Sequence, residues 1–128
     1  MGKRKFRFPH YTSVVGRGSE IKGSLAFTDG LHVDGHIVGD VIGEAVEGKS
    51  RSSSAMTLSA SGVIEGNLNV PHVVIDGTVI GDVRAVRSAV LASGARIKGT
   101  VYYGTLEMDE GAEVNGQLVH IDEDGDWG

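Results

Sequence analysis

One five-residue phrase recurs six times in this chain and limits what it can fold into more than any other feature. The copies are Ile21-Lys22-Gly23-Ser24-Leu25, Ile37-Val38-Gly39-Asp40-Val41, Ile64-Glu65-Gly66-Asn67-Leu68, Val79-Ile80-Gly81-Asp82-Val83, Ile97-Lys98-Gly99-Thr100-Val101 and Val114-Asn115-Gly116-Gln117-Leu118. Each has a β-branched residue, any residue, Gly, a small or polar residue, then Leu or Val. Strand alternation places the first, third and fifth positions on one face, and a Gly there leaves room for a bend or a close backbone approach.

The phrase glycines are spaced by 16, 27, 15, 18 and 17 residues. Four steps match one coil of a β-solenoid, and the remaining one carries an insertion. A unit this short cannot bury its own apolar face, so stacking on its neighbours must do so. The expected fold is all-β: a single parallel β-helix of about six coils with disordered termini. Residues 1–13 read as a basic tail and 14–121 as the solenoid, with a loop inserted at about 44–55. Residues 122–128 read as an acidic tail. A second Gly precedes the phrase Gly by five residues in coils one, five and six and by four in coils two to four. That one-residue difference has to be absorbed at a corner or bulge.

Alternation assigns inward and outward sets. In coil two Leu31, Val33, Gly35, Ile37, Gly39 and Val41 point in, while His32, Asp34, His36 and Asp40 point out. Coil four repeats this with Val73, Ile75, Gly77, Val79, Gly81 and Val83 inward. The residue after each phrase Gly forms an outward column: Ser24, Asp40, Asn67, Asp82, Thr100, Gln117. Rungs lie about 4.8 Å apart, where adjacent aspartates repel. Asn67 separates Asp40 from Asp82 and can hydrogen-bond along the column.

Composition excludes several classes. With only three Phe, three Tyr and one Trp in 128 residues, the core is aliphatic. No cysteine is present, which removes disulfides and thiolate metal sites. No apolar run approaches a membrane span and no signal-peptide core follows the basic start, so a cytoplasmic protein is expected. The net charge of −5 is uneven: Lys3, Arg4, Lys5, Arg7, Arg17 and Lys22 cluster early, and no Lys or Arg follows Lys98. In a solenoid this becomes a charge difference along the axis, unless both ends are merely solvated.

The start interleaves Lys3, Arg4, Lys5 and Arg7 with Phe6 and Phe8. Such a tip suits weak contact with an anionic membrane at the inner face of the cell, each cation contributing about 1 kcal/mol. A solubilising arm is the alternative; nucleic-acid binding is not expected. The Ser-rich insertion is either a partner handle or a tolerated loop.

Six such coils resemble the bactofilins, bacterial polymer-forming cytoskeletal proteins. The strongest matches are Leu31-His32-Val33-Asp34-Gly35-His36-Ile37-Val38-Gly39-Asp40-Val41 and Val73-Val74-Ile75-Asp76-Gly77-Thr78-Val79-Ile80-Gly81-Asp82-Val83. The resemblance spans about Val14 to Ile121. It implies a right-handed, three-sided β-helix that assembles end to end without nucleotide. It also implies scaffolding of cell-wall synthesis or hydrolysis enzymes at the inner membrane, and a role in cell shape. The insertion at 44–54 departs from the pattern.

The polymerisation contacts expected on this reading are Val14, Val15, Ile21 and Leu25 at one end and Val114, Leu118 and Ile121 at the other. Unlike charges favour head-to-tail joining, whereas the resemblance implies filaments in which like ends meet. No catalytic, cofactor-binding or metal residue is expected. His32 and His36 read as lying about 13 Å apart on one outward strand face, too far to share a zinc. No Gly-x-Ser-x-Gly elbow or phosphate-binding glycine loop occurs. Two alternatives remain: a monomeric β-helical adaptor for a peptidoglycan enzyme, and a left-handed β-helix enzyme of the acyltransferase or carbonic anhydrase kind. The apolar-Gly pair does not recur every six residues, as that enzyme fold requires.

Overall fold

The structure is a computed structural model that describes residues 5–7, 13–43 and 54–121, and among these every regular element is a strand. The strands stack in three parallel ladders, because each repeat supplies three short apolar segments separated by glycine or polar corners. The first ladder contains β2 (Ser13–Val15), β5 (Gly30–Val33), β8 (Ala55–Leu58), β11 (His72–Ile75) and the second halves of β13 (Val83–Leu91) and β15 (Val101–Met108). The second contains β3 (Glu20–Lys22), β6 (His36–Val38), β9 (Val63–Glu65), β12 (Thr78–Ile80), β14 (Arg96–Lys98) and β16 (Glu113–Asn115).

The third ladder runs β1 (Lys5–Arg7), β4 (Ser24–Phe27), β7 (Val41–Gly43), β10 (Leu68–Asn69), the first halves of β13 and β15, and β17 (Leu118–His120). The parallel solenoid of about six coils is thus as the repeat predicts. The stretch read as a tail differs at two places: Lys5–Arg7 form β1, and Ser13 opens β2. β1 is defined by its parallel pairing with β4, Phe6 beside Leu25. The residues 44–53 of the predicted insertion and the acidic stretch 122–128 lie outside the described residues. In chain order the insertion falls between β7, which ends at Gly43, and β8, which starts at Ala55.

The core consists of columns of like residues. Ile37, Ile64, Val79 and Ile97 form one; Leu25, Val41, Leu68, Val83 and Val101 form another. All are 0–2% exposed. Each such side chain stabilises the stack by about 1.5–3 kcal/mol relative to full exposure.

The recurring phrase is a corner and not one continuous strand. β6 stops at Val38 and β7 starts at Val41, so Ile37 and Val41 point inward from two different ladders. The phrase Gly sits between them, only half-buried. The reason is steric: a Cβ on Gly39, Gly66, Gly81, Gly99 or Gly116 would stand 2.0–2.2 Å from the carbonyl oxygen of the phrase Gly one coil back. Only a residue without Cβ lets corners stack this closely.

The polar column beside it forms as expected. Asp40 Oδ1 accepts from the Asn67 backbone N–H at 3.0 Å, Asn67 Oδ1 from that of Asp82 at 2.9 Å, and Asp82 Oδ1 from that of Thr100 at 3.0 Å. These side chains satisfy amides that the turning backbone leaves without a ladder partner.

The corner between the first and second ladders comes in two sizes. Four positions separate the inward residues in Val33–Ile37 and Ile75–Val79. Six separate them in Val15–Ile21, Leu58–Ile64, Leu91–Ile97 and Met108–Val114. The wide form contains a turn, closed by N–H to C=O bonds from Ser19 to Gly16, Gly62 to Ser59, Ala95 to Ala92 and Ala112 to Asp109. Coil three therefore belongs with the wide coils, although its glycine spacing suggested otherwise. The difference is two residues, an even number, so side chains keep their phase.

Candidate polymerisation interface

The last coil is where the stack stops being covered. Among the described residues the second half of β15 pairs only with β13, β16 only with β14, and β17 only with β15. Each leaves a strand edge without a ladder partner. The inward columns end there too. Leu118 is 42% exposed where its rung partner Val101 is 0%, and Met108 is 41% exposed where Leu91 is 0%. Leu106 and Val114 are half-buried over Ala89 and Ile97, which are 1% and 2% exposed. The Tyr103 and His120 rings meet edge to face at the same end, 5.6 Å between centroids.

At the opposite end, the expected contact residues divide three ways. Ile21 is half-buried on β3, which pairs only with β6 among the described residues. Val15 and Leu25 belong to the core, at 3% and 0% exposure. Leu25 is closed in because its strand has ladder partners on both sides, β1 and β7. Val14 is 62% exposed but shares a rung with His32, in the outward column of the first ladder. It faces sideways and not along the axis. At the C-terminal end Ile121 is half-buried and donates its backbone N–H to the Tyr103 carbonyl at 2.9 Å.

Leu106 and Met108 are the residues that sequence reasoning missed. They precede the last phrase Gly, and the phrase alone does not reach them. Aligning Ala89-Val90-Leu91 with Leu106-Glu107-Met108, six residues ahead of Ile97 and Val114, would have found them. Of the residues expected to contact a membrane, Lys5, Phe6 and Arg7 lie in β1, while Lys3, Arg4 and Phe8 are outside the described residues. Exposed charge differs between the ends: Glu107, Asp109, Glu110 and Glu113 surround the last coil, and Arg17, Glu20 and Lys22 the first.

The histidines do not lie on one strand face as expected. His32 is on β5 of the first ladder and contacts Asp34 at 3.0 Å. His36 is on β6 of the second, between Glu65 at 2.6 Å and Glu20 at 3.3 Å. The tight corner turns the chain between them. A hydrogen bond from Ser59 holds the Asp34 carboxyl below the usual carboxylate range, with help from His32 and Arg17 and against a smaller effect of burial. Among the described residues no group of three or more His, Cys, Asp or Glu is placed to hold one metal ion. A groove of about 230 Å³ runs beside the polar column, lined by Asp40, Asn67, Asp82 and Arg84. Three of these already commit an oxygen to a backbone amide.

An all-β parallel solenoid of about six coils is a β-helical repeat protein. The chain belongs to the bactofilin family: the family model described as "Bactofilin: Polymer-forming cytoskeletal" matches residues 13–119. It is similar to bactofilin BacP of Myxococcus xanthus (strain DK1622), with 27% identity over 106 residues, which is 83% of this chain and 40% of that one. It is similar also to bactofilin BacO of the same organism, with 26% identity over 105 residues, covering 80% of this chain and 83% of BacO. The chain thus spans less than half the length of BacP. No solved structure matches it.

Proposed function

We propose that this chain is a cytoskeletal subunit that polymerises end to end without nucleotide. The carrying observation is the last coil, where Leu118 and Met108 are 42% and 41% exposed beside strand edges that have no partner among the described residues. Another copy can continue both the hydrogen-bond ladder and the aliphatic columns, which is how each coil inside the subunit is already satisfied. Such a joint uses only surfaces that the subunit itself carries, so it calls for no nucleotide switch. The polymer scaffolds cell-wall synthesis or hydrolysis enzymes and supports cell shape. It lies at the inner face of the cytoplasmic membrane, held there by the basic, aromatic tip around Lys3 to Phe8.

Leu118→Arg tests this reading. It puts a charge into the apolar cross-section of the joint, which costs several kcal/mol unless the side chain reaches water. In a monomer the end is wet and the guanidinium escapes. The expected result is monomers or small oligomers with an unchanged β-type circular dichroism spectrum, while the parent chain gives filaments in negative stain. Met108→Arg, on a different ladder, should behave alike. Normal filaments from both variants would contradict end-to-end joining.

A further inference from the structure

The two ends of the third ladder are not closed alike. Among the described residues Leu118 ends its column with a strand on one side only, whereas Leu25 at the other end has β7 on one side and β1 on the other. The register is Lys5 with Ser24, Phe6 with Leu25 and Arg7 with Ala26. The first and second ladders have no such addition: among the described residues they start at β2 and β3.

From β2 to β17 the chain fills three ladders six times, with β13 and β15 each serving two positions. That is a whole number of coils, and its two ends can meet without a gap. β1 is one strand beyond it. Strands in a ladder lie about 4.8 Å apart, so β1 occupies the space that the first strand of an incoming subunit would need. A neighbour stacked on β1 instead would leave a rung-high gap over β2 and β3. β1 has only three residues, and a short terminal strand belongs to the least stable part of a fold.

We propose that the edge of β4 is a strand-accepting site that β1 holds within the subunit and that a strand of a second copy takes over when subunits join. The proposal rests on end-to-end assembly as described above. β1 then sets the rate of assembly, because a joint at this end requires its release.

The chain has no cysteine, so one engineered pair can lock the strand. Ladder partners about 4.8 Å apart fall within the Cα separation a disulfide accepts, about 4.4–6.8 Å. The full-length double variant Lys5→Cys, Ser24→Cys is followed by mass photometry and negative stain, oxidised and then reduced. Oxidised protein should give nothing larger than a monomer, or a dimer if its free C-terminal ends join each other. Reduction should restore filaments. Locked subunits that polymerise as fast and as far as reduced ones would overturn the proposal. So would failure of the pair to oxidise in a variant with the parent circular dichroism spectrum. Absence of filaments from the reduced variant and the parent chain alike would overturn end-to-end assembly itself, and this inference with it.

Discussion

At Gly66 a methyl group would have nowhere to go: its Cβ would lie 2.1 Å from the Gly39 carbonyl oxygen, at a φ of +156° that L side chains rarely adopt. The obstacle is backbone of the neighbouring coil, so relief would require two coils to move apart and stretch their hydrogen bonds. Gly66→Ala should therefore cost about 2–3 kcal/mol, the upper part of the range for overpacking and backbone strain. Gly16 provides the control, since nothing lies within 4 Å of its Cβ position. Gly16→Ala should stay within about 0.5 kcal/mol of the parent, as surface changes usually do. Urea unfolding of the two variants checks this, and equal midpoints would contradict the corner-stacking account. The glycine requirement was legible in the sequence because the same close approach recurs in every coil. Its geometry was not, since alternation alone does not say where a strand stops and a corner begins. Asn67 was legible in full: its place between two aspartates called for a hydrogen-bonding neutral residue, and its oxygen accepts from Asp82.

Among the elements, the strands of the inner coils could be read from alternation, whereas corners and terminal strands could not. Glycine spacing suggested a one-residue difference between coil types, yet the corners differ by two residues, as Val33–Ile37 against Leu58–Ile64 makes plain. The second Gly misled because it has different tasks. Gly18 and Gly111 adopt positive φ in wide turns, while Gly35 and Gly77 press against backbone carbonyls at tight ones. β1 was missed because three residues carrying two cations resemble a tail; pairing with β4 is a long-range contact that no local pattern announces. Its neighbourhood supports a second test. Deleting Met1 to Phe8 should abolish co-sedimentation with anionic liposomes while leaving the circular dichroism spectrum and the filaments intact. Pelleting at the level of the full chain would contradict a membrane role for the tip.

For the whole molecule, the repeat dictated the architecture. Inside the stack every apolar rung is covered by the next, and at the last coil that covering stops at Leu106, Met108, Val114 and Leu118. Of these four, sequence reasoning named Val114 and Leu118 as expected contacts. It named Val15 and Leu25 at the other end, where both are buried in the subunit, at 3% and 0% exposure. The central claim is that subunits continue one another's ladders, and the direct measurement is the axial geometry of filaments by electron cryomicroscopy. Six rungs about 4.8 Å apart predict a subunit rise of about 29 Å, with the 4.8 Å repeat running along the filament axis and unbroken across the joints. A 4.8 Å repeat running across the axis, from subunits joined side by side, would contradict the account.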